Sequence, residues 1–189
     1  MRKRLKKTKS MSRENLHIDT LLIILLIFFL LGICFACIIV SYEQNNVVSF
    51  DFTVLKQKVS FPKNIWKAGQ FHVFVILASM SYIGLLLIPA IIFLRGYFIA
   101  CTSAVLLKEY WIAWITCGVP AVIQLPSLFL LASMCLRISA KRWTDTITRD
   151  YILKNFDIPK YLILSCVGII LCAIYNRYLV SSLISLFIS

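Results

Sequence analysis

The chain has 189 residues, 60% of them hydrophobic and only 15% charged, with a net charge of +12. Mean hydropathy is +0.87, which excludes a large soluble domain and places the chain in a bilayer. The positive charge sits in short segments between apolar runs, a pattern that suits anionic lipid headgroups and not nucleic acid.

Residues 1–19 form a basic leader with seven Lys or Arg against Glu14 and Asp19, read as a disordered or surface-lying cytoplasmic segment. Leu21 to Val40 follows with twenty residues free of charge, long enough to span a hydrocarbon core. It exceeds a signal-peptide core, and Cys34, Phe35, Ala36 and Cys37 make a poor cleavage site, so the run is expected to remain as an anchor. Gly32 and Ala36 give it a small-residue face for close helix approach.

Residues 41–70 are polar and mixed and read as an outer loop. Phe50, Val54 and Lys58 share a helical stripe, although Ser49–Val54 alternates almost as well as a strand. Pro62, Lys63, Trp66 and Lys67 look like a turn with interfacial anchors. Phe71 to Leu94 is the second expected span, with Gly84 and Pro89 inside it. The apolar run continues to Leu107, and 37 residues would make a helix of about 55 Å, so a break is required. Arg95-Gly96 is the simplest place for it, with Arg95 as a cytoplasmic stop or, alternatively, a buried counter-charge. The remaining piece, 96–107, is then short or re-entrant. Gly96, Ala100 and Ala104 line one face of it, suited to packing on another helix or on a partner's membrane anchor.

Trp111 to Leu136 is the fourth expected span, interrupted by Gly118, Pro120 and Pro126. Two prolines six residues apart predict irregular backbone at membrane depth, which survives only inside protein or facing water. Residues 137–160 read as a cytoplasmic loop with a short amphipathic helix, and Pro159 opens a last span over 161–180. The architecture is thus all-α and polytopic, about five transmembrane helices with one short or re-entrant segment. Fourteen Lys or Arg fall on one side of that arrangement and six on the other, which puts the N-terminus in the cytoplasm.

No catalytic constellation is visible. The two histidines, His17 and His72, lie in the leader and at a span end, and no carboxylate pair sits near a span centre. The seven cysteines all fall in apolar stretches, and the Cys34/Cys37 pair has no companion ligands, so neither a disulfide framework nor a metal site is implied. No enzyme activity and no cofactor are expected. Gln124, between Pro120 and Pro126, is the best interior polar group. It suits an interhelical hydrogen bond or, alternatively, the polar path of a transporter or permease subunit.

The stretch from Phe93 to Ser139, FLRGYFIACTSAVLLKEYWIAWITCGVPAVIQLPSLFLLASMCLRIS, resembles the core of the stage II sporulation protein M family. The matching residues are Gly96, Pro120, Gln124, Pro126, Ala132, Leu136 and Arg137. Ala121 stands where the family tends to have His, Gln124 where it tends to have Glu, and Ala100 where Gly is frequent. The resemblance implies a bacterial cell-membrane protein at the septal or engulfing membrane. It would act as a scaffold that recruits membrane-anchored peptidoglycan hydrolases during forespore engulfment. Slender five-span proteins commonly assemble further, which allows a homo-oligomer.

Overall fold

The structure is a computed structural model. It describes the backbone of residues 2–43, 60–106, 110–144, 158–180 and 182. Side chains before residue 20 and at 43, 105, 110, 143 and 144 fall outside the description. Among these residues there is no strand. The helices are α1 (Arg2–Glu43), α2 (Phe61–Met80), α3 (Gly84–Val105), α4 (Tyr110–Ala113), α5 (Val119–Thr144) and α6 (Ile158–Ile174). A π-helical turn at Trp114–Gly118 joins α4 to α5, and a second at Tyr175–Leu179 prolongs α6.

Four stretches are long and apolar enough to cross a membrane: Thr20–Tyr42, Gly84–Ala104, Trp111–Arg142 and Ile158–Leu179. The chain is therefore an all-α polytopic membrane protein. α2 is as long as a span but more polar, and its burial pattern explains why. Asn64, His72 and Ser79 turn inward, while Val73, Phe74, Leu77 and Met80 face outward. Lys63, Trp66 and Lys67 are exposed near its start, where interfacial anchors belong.

Cross-contacts fix the directions. Gln124 meets Ala68, Ser127 meets His72 and Arg142 meets Met80, so α2 and α5 run parallel. Arg95 meets Gln124 and Gly84 meets Ser139, so α3 is antiparallel to α5. α6 is antiparallel as well, because Gly168 lies against Ser127 and Tyr175 against Ile115. α5 is the central helix: 61% of its membrane window is buried against 22–28% for the others. Residues 131–136 are buried without interruption, so at that level α5 has neighbours on every side. The main core joins Leu25 and Phe29 of α1, Phe71 and Val75 of α2, Ile88 and Ile92 of α3 and Leu128 to Leu136 of α5.

Several expectations are corrected here. The break in the long apolar run falls at residues 81–83, where Ser81 is extended and Gly84 opens α3, and not at Arg95-Gly96. A side chain on Gly84 would collide with the Ala78 carbonyl and come to 2.6 Å from Ser139 Oγ, so this tight hairpin requires glycine. Arg95 is not a stop; it sits mid-helix in α3, whose run to Val105 absorbs the segment expected to be short or re-entrant. α2 starts at Phe61, ten residues before the expected span, with Pro62 in its first turn. The polarity that reads as loop over 61–70 belongs partly to its inward face. Pro126 lies inside a continuous α5, and Pro120 stands in the first turn after the π-helical turn. The irregular backbone is therefore that π turn and not the segment between the prolines. The basic leader is helical from Arg2; no Pro or Gly precedes Gly32, and Lys and Arg propagate helices well. The readings made for 44–59 and for 145–157 fall outside the described residues.

Candidate functional site

The interior of the bundle carries a connected polar cluster built around Gln124. Gln124 is 1% exposed, on the face of α5 that meets both α2 and α3. Its carboxamide is used at both ends: Oε1 accepts from Arg95 Nη2, and Nε2 donates to the Ala68 carbonyl. One turn further, Ser127 Oγ donates to the Gln124 carbonyl at 2.9 Å. With its hydrogen so committed, Ser127 accepts from His72 Nε2 at 3.3 Å. His72, expected at a span end, lies at mid-length of α2 and is 1% exposed. Its Nδ1 has no partner. The spacing 68, 71, 72 on α2 and 124, 127 on α5 is the helical i, i+3/i+4 rule, which aligns these groups on facing stripes.

Arg95 is next to the midpoint of the Gly84–Ala104 span. Half of a hydrocarbon core is about 15 Å, so its charge lies far from either headgroup layer. The guanidinium stacks 4.9 Å from the centroid of the Phe71 ring, a cation–π contact. Its Nε is buried without an acceptor. Cys117 and Cys172 lie within electrostatic reach of the guanidinium. All eight acidic residues, Glu14, Asp19, Glu43, Asp51, Glu109, Asp145, Asp150 and Asp157, fall outside the four apolar spans and outside α2.

On one flank of this cluster the two π-helical turns meet. Tyr175 Oη donates to the Ile115 carbonyl at 3.1 Å. Asn176 Nδ2 lies 3.7 Å from Cys172 Sγ, and Thr116 bonds the Ile112 carbonyl at 2.6 Å beside Cys117. A π-helical turn widens the helix and frequently marks a working site.

The other residues singled out in the sequence serve packing. Gly96 faces α1: a Cβ there would strike the Phe29 carbonyl. On α1, a Cβ at Gly32 would strike the Phe93 carbonyl, and Ala36 is fully buried. The two small-residue faces read separately in the sequence thus meet each other, with Phe35 stacked beside Phe93 and Tyr97. Ala100 and Ala104 continue that side of α3 and are half-buried. Pro120 is buried, Pro126 is exposed, and Arg137 is half-buried and already engaged. Cys34 and Cys37 are free thiols on the exposed side of α1.

Of the cluster, the sequence singles out Gln124 and offers Arg95 as a buried counter-charge only beside its reading as a stop, while His72 reads as a span-end residue. The signal that could have found them is the absence of any acid in the five helical segments, which leaves an apolar-flanked arginine only neutral partners. Comparisons with protein-family models, curated proteins and solved structures return no match.

Proposed function

We propose that this chain is a non-enzymatic bacterial membrane scaffold of the kind represented by the stage II sporulation protein M family. It would recruit membrane-anchored peptidoglycan-remodelling proteins to the septal or engulfing membrane during forespore engulfment. The observation that carries this reading is how the residues of the resemblance are used. Gln124 spends both arms of its carboxamide on neighbouring helices, Gly96 seats α1, and Ala132 and Leu136 lie in the main core. These positions hold five helices in one arrangement, and a fixed bundle is what a recruiting surface requires.

The orientation rests on charge. With Arg95 inside the bundle, thirteen Lys or Arg belong to the leader and residues 137–160, against six at Lys56, Lys58, Lys63, Lys67, Lys108 and Arg177. That balance favours a cytoplasmic N-terminus and an external 44–60 segment. Partner anchors pack on the lipid-facing helix sides, and the external segment orients their outer domains. Deleting residues 45–59, which leaves α2 whole from Phe61, and imaging fluorescent wall hydrolases tests this. Loss of their septal recruitment is expected, and unchanged localisation with normal levels of the variant would refute the role of that segment.

A further inference from the structure

Arg95 presents an imbalance that the scaffold reading does not use. An arginine has five N–H donors and a charge that never titrates away in proteins. Arg95 gives one donor to Gln124, and its Nε is buried with no acceptor. Gln124 is neutral, and its other arm is already held by Ala68. The Phe71 ring offers a quadrupole, which attracts a cation without cancelling its charge. A charge at mid-depth is costly and is normally paired, yet no carboxylate occurs in the spans or in α2. His72 Nδ1 is also buried without a partner, but with Nε2 donating to Ser127 it carries a lone pair and offers an anion no hydrogen, so the imbalance rests on Arg95.

The surroundings also point to a ligand. Polar side chains continue from Arg95 toward one end of the bundle: Cys117 and Cys172, then Asn176, Thr116 and Tyr175. Asn64 of α2 is buried, and by the Ala68–Gln124 register it lies at that same level. Both departures from α-helical geometry, Trp114–Gly118 and Tyr175–Leu179, are on this flank. A polar, widened segment leading to an unneutralised cation is the pattern of an anion's approach.

We propose that Arg95 is the base of a binding site for a small monovalent anion, chloride or a simple carboxylate, on the flank of the bundle that carries the two π-helical turns. One positive charge matches one negative charge. A dianion would leave a charge unmatched at the same depth. The site is independent of the scaffold reading, and either can fail without the other.

Thermal unfolding of the full-length purified protein tests it, with sodium gluconate exchanged for sodium chloride, nitrate, formate or sulfate at constant ionic strength. Chloride, nitrate and formate should each raise Tm saturably, by roughly 5–11 °C at a hundredfold excess over Kd. Sulfate should not. Arg95→Gln should lose the response. Gln124→Glu sets a carboxylate where Oε1 now meets Arg95 Nη2, so it should raise Tm in gluconate and also lose the chloride response. The second variant decides the matter if Arg95→Gln does not fold. A Tm indifferent to the anion, or a chloride response that survives Gln124→Glu, overturns the proposal.

Discussion

Replacing Gln124 by Leu is the sharpest perturbation of the bundle centre. Leucine is close to glutamine in length and volume, so little packing is lost and the polar terms dominate. The substitution removes the acceptor of Arg95 Nη2 and the donor to the Ala68 carbonyl. A hydrogen bond to a charged group contributes about 1.5–3 kcal/mol, and an ordinary interhelical bond in a membrane averages about 0.6 kcal/mol. The first loss is the larger because it leaves a half-buried charge at mid-depth with only the Phe71 ring. A destabilisation of about 2–3 kcal/mol is expected, read as a drop in Tm of roughly 4–12 °C for a chain of this size. Removing the charge as well should recover part of it. Arg95→Leu combined with Gln124→Leu should therefore be more stable than the sum of the single changes predicts, by about 1 kcal/mol or more. Denaturant unfolding of the four proteins in one mixed-micelle system measures the cycle. A Gln124→Leu protein within about 0.5 kcal/mol of wild type, together with an additive double variant, would refute the assignment of Gln124 as the bridge between α2, α3 and α5.

The glycine contacts predict a graded series. Gly32→Val and Gly96→Val should each lower stability severely, by about 3 kcal/mol or more, because the new side chain meets backbone carbonyls of Phe93 and Phe29 that cannot rotate away. Gly69→Ala should be tolerated, since its nearest neighbours are Ile169 side-chain atoms at 3.5 and 3.7 Å; equal damage from all three would contradict the helix contacts. In a cysteine-free background, Ser60→Cys should react with an impermeant maleimide added outside cells, and Thr146→Cys only after permeabilisation. The opposite result reverses the orientation. Vesicles reconstituted with the chain alone should show no solute flux above protein-free controls, whereas a flux that Gln124→Leu abolishes would replace the scaffold reading with a permease.

The apolar runs carried most of the architecture, because lipid demands about twenty residues per crossing and leaves a plain trace of it. The exposed anchors Lys63, Trp66 and Lys67 and the small-residue faces at Gly32 and Gly96 were also legible, since each is a local property. What the sequence hid is non-local. Arg95 followed by Gly96 reads as a turn; its burial depends on Phe71 and Gln124, 24 and 29 positions away. The true hairpin at 81–83 carries Ser81, Tyr82 and Gly84 as signals, each of them tolerable within a span. α2 reads as loop over its first half because Lys63 and Lys67 stay exposed at its start while Asn64 is buried against other helices, and no window over α2 contains those neighbours. The π-helical turn at 114–118 leaves one faint mark, Pro120, which cannot donate a hydrogen bond back to residue 116.

The central claim is that this membrane bundle works by holding other proteins. Purification of the epitope-tagged full-length chain from sporulating cells, after brief crosslinking and in mild detergent, tests it most directly. The account predicts that single-span proteins with peptidoglycan-degrading outer domains co-purify in stoichiometric amounts and are lost when residues 45–59 are deleted. A chain that emerges alone from the same membranes, or with a cytoplasmic ATPase and no wall enzyme, would contradict it.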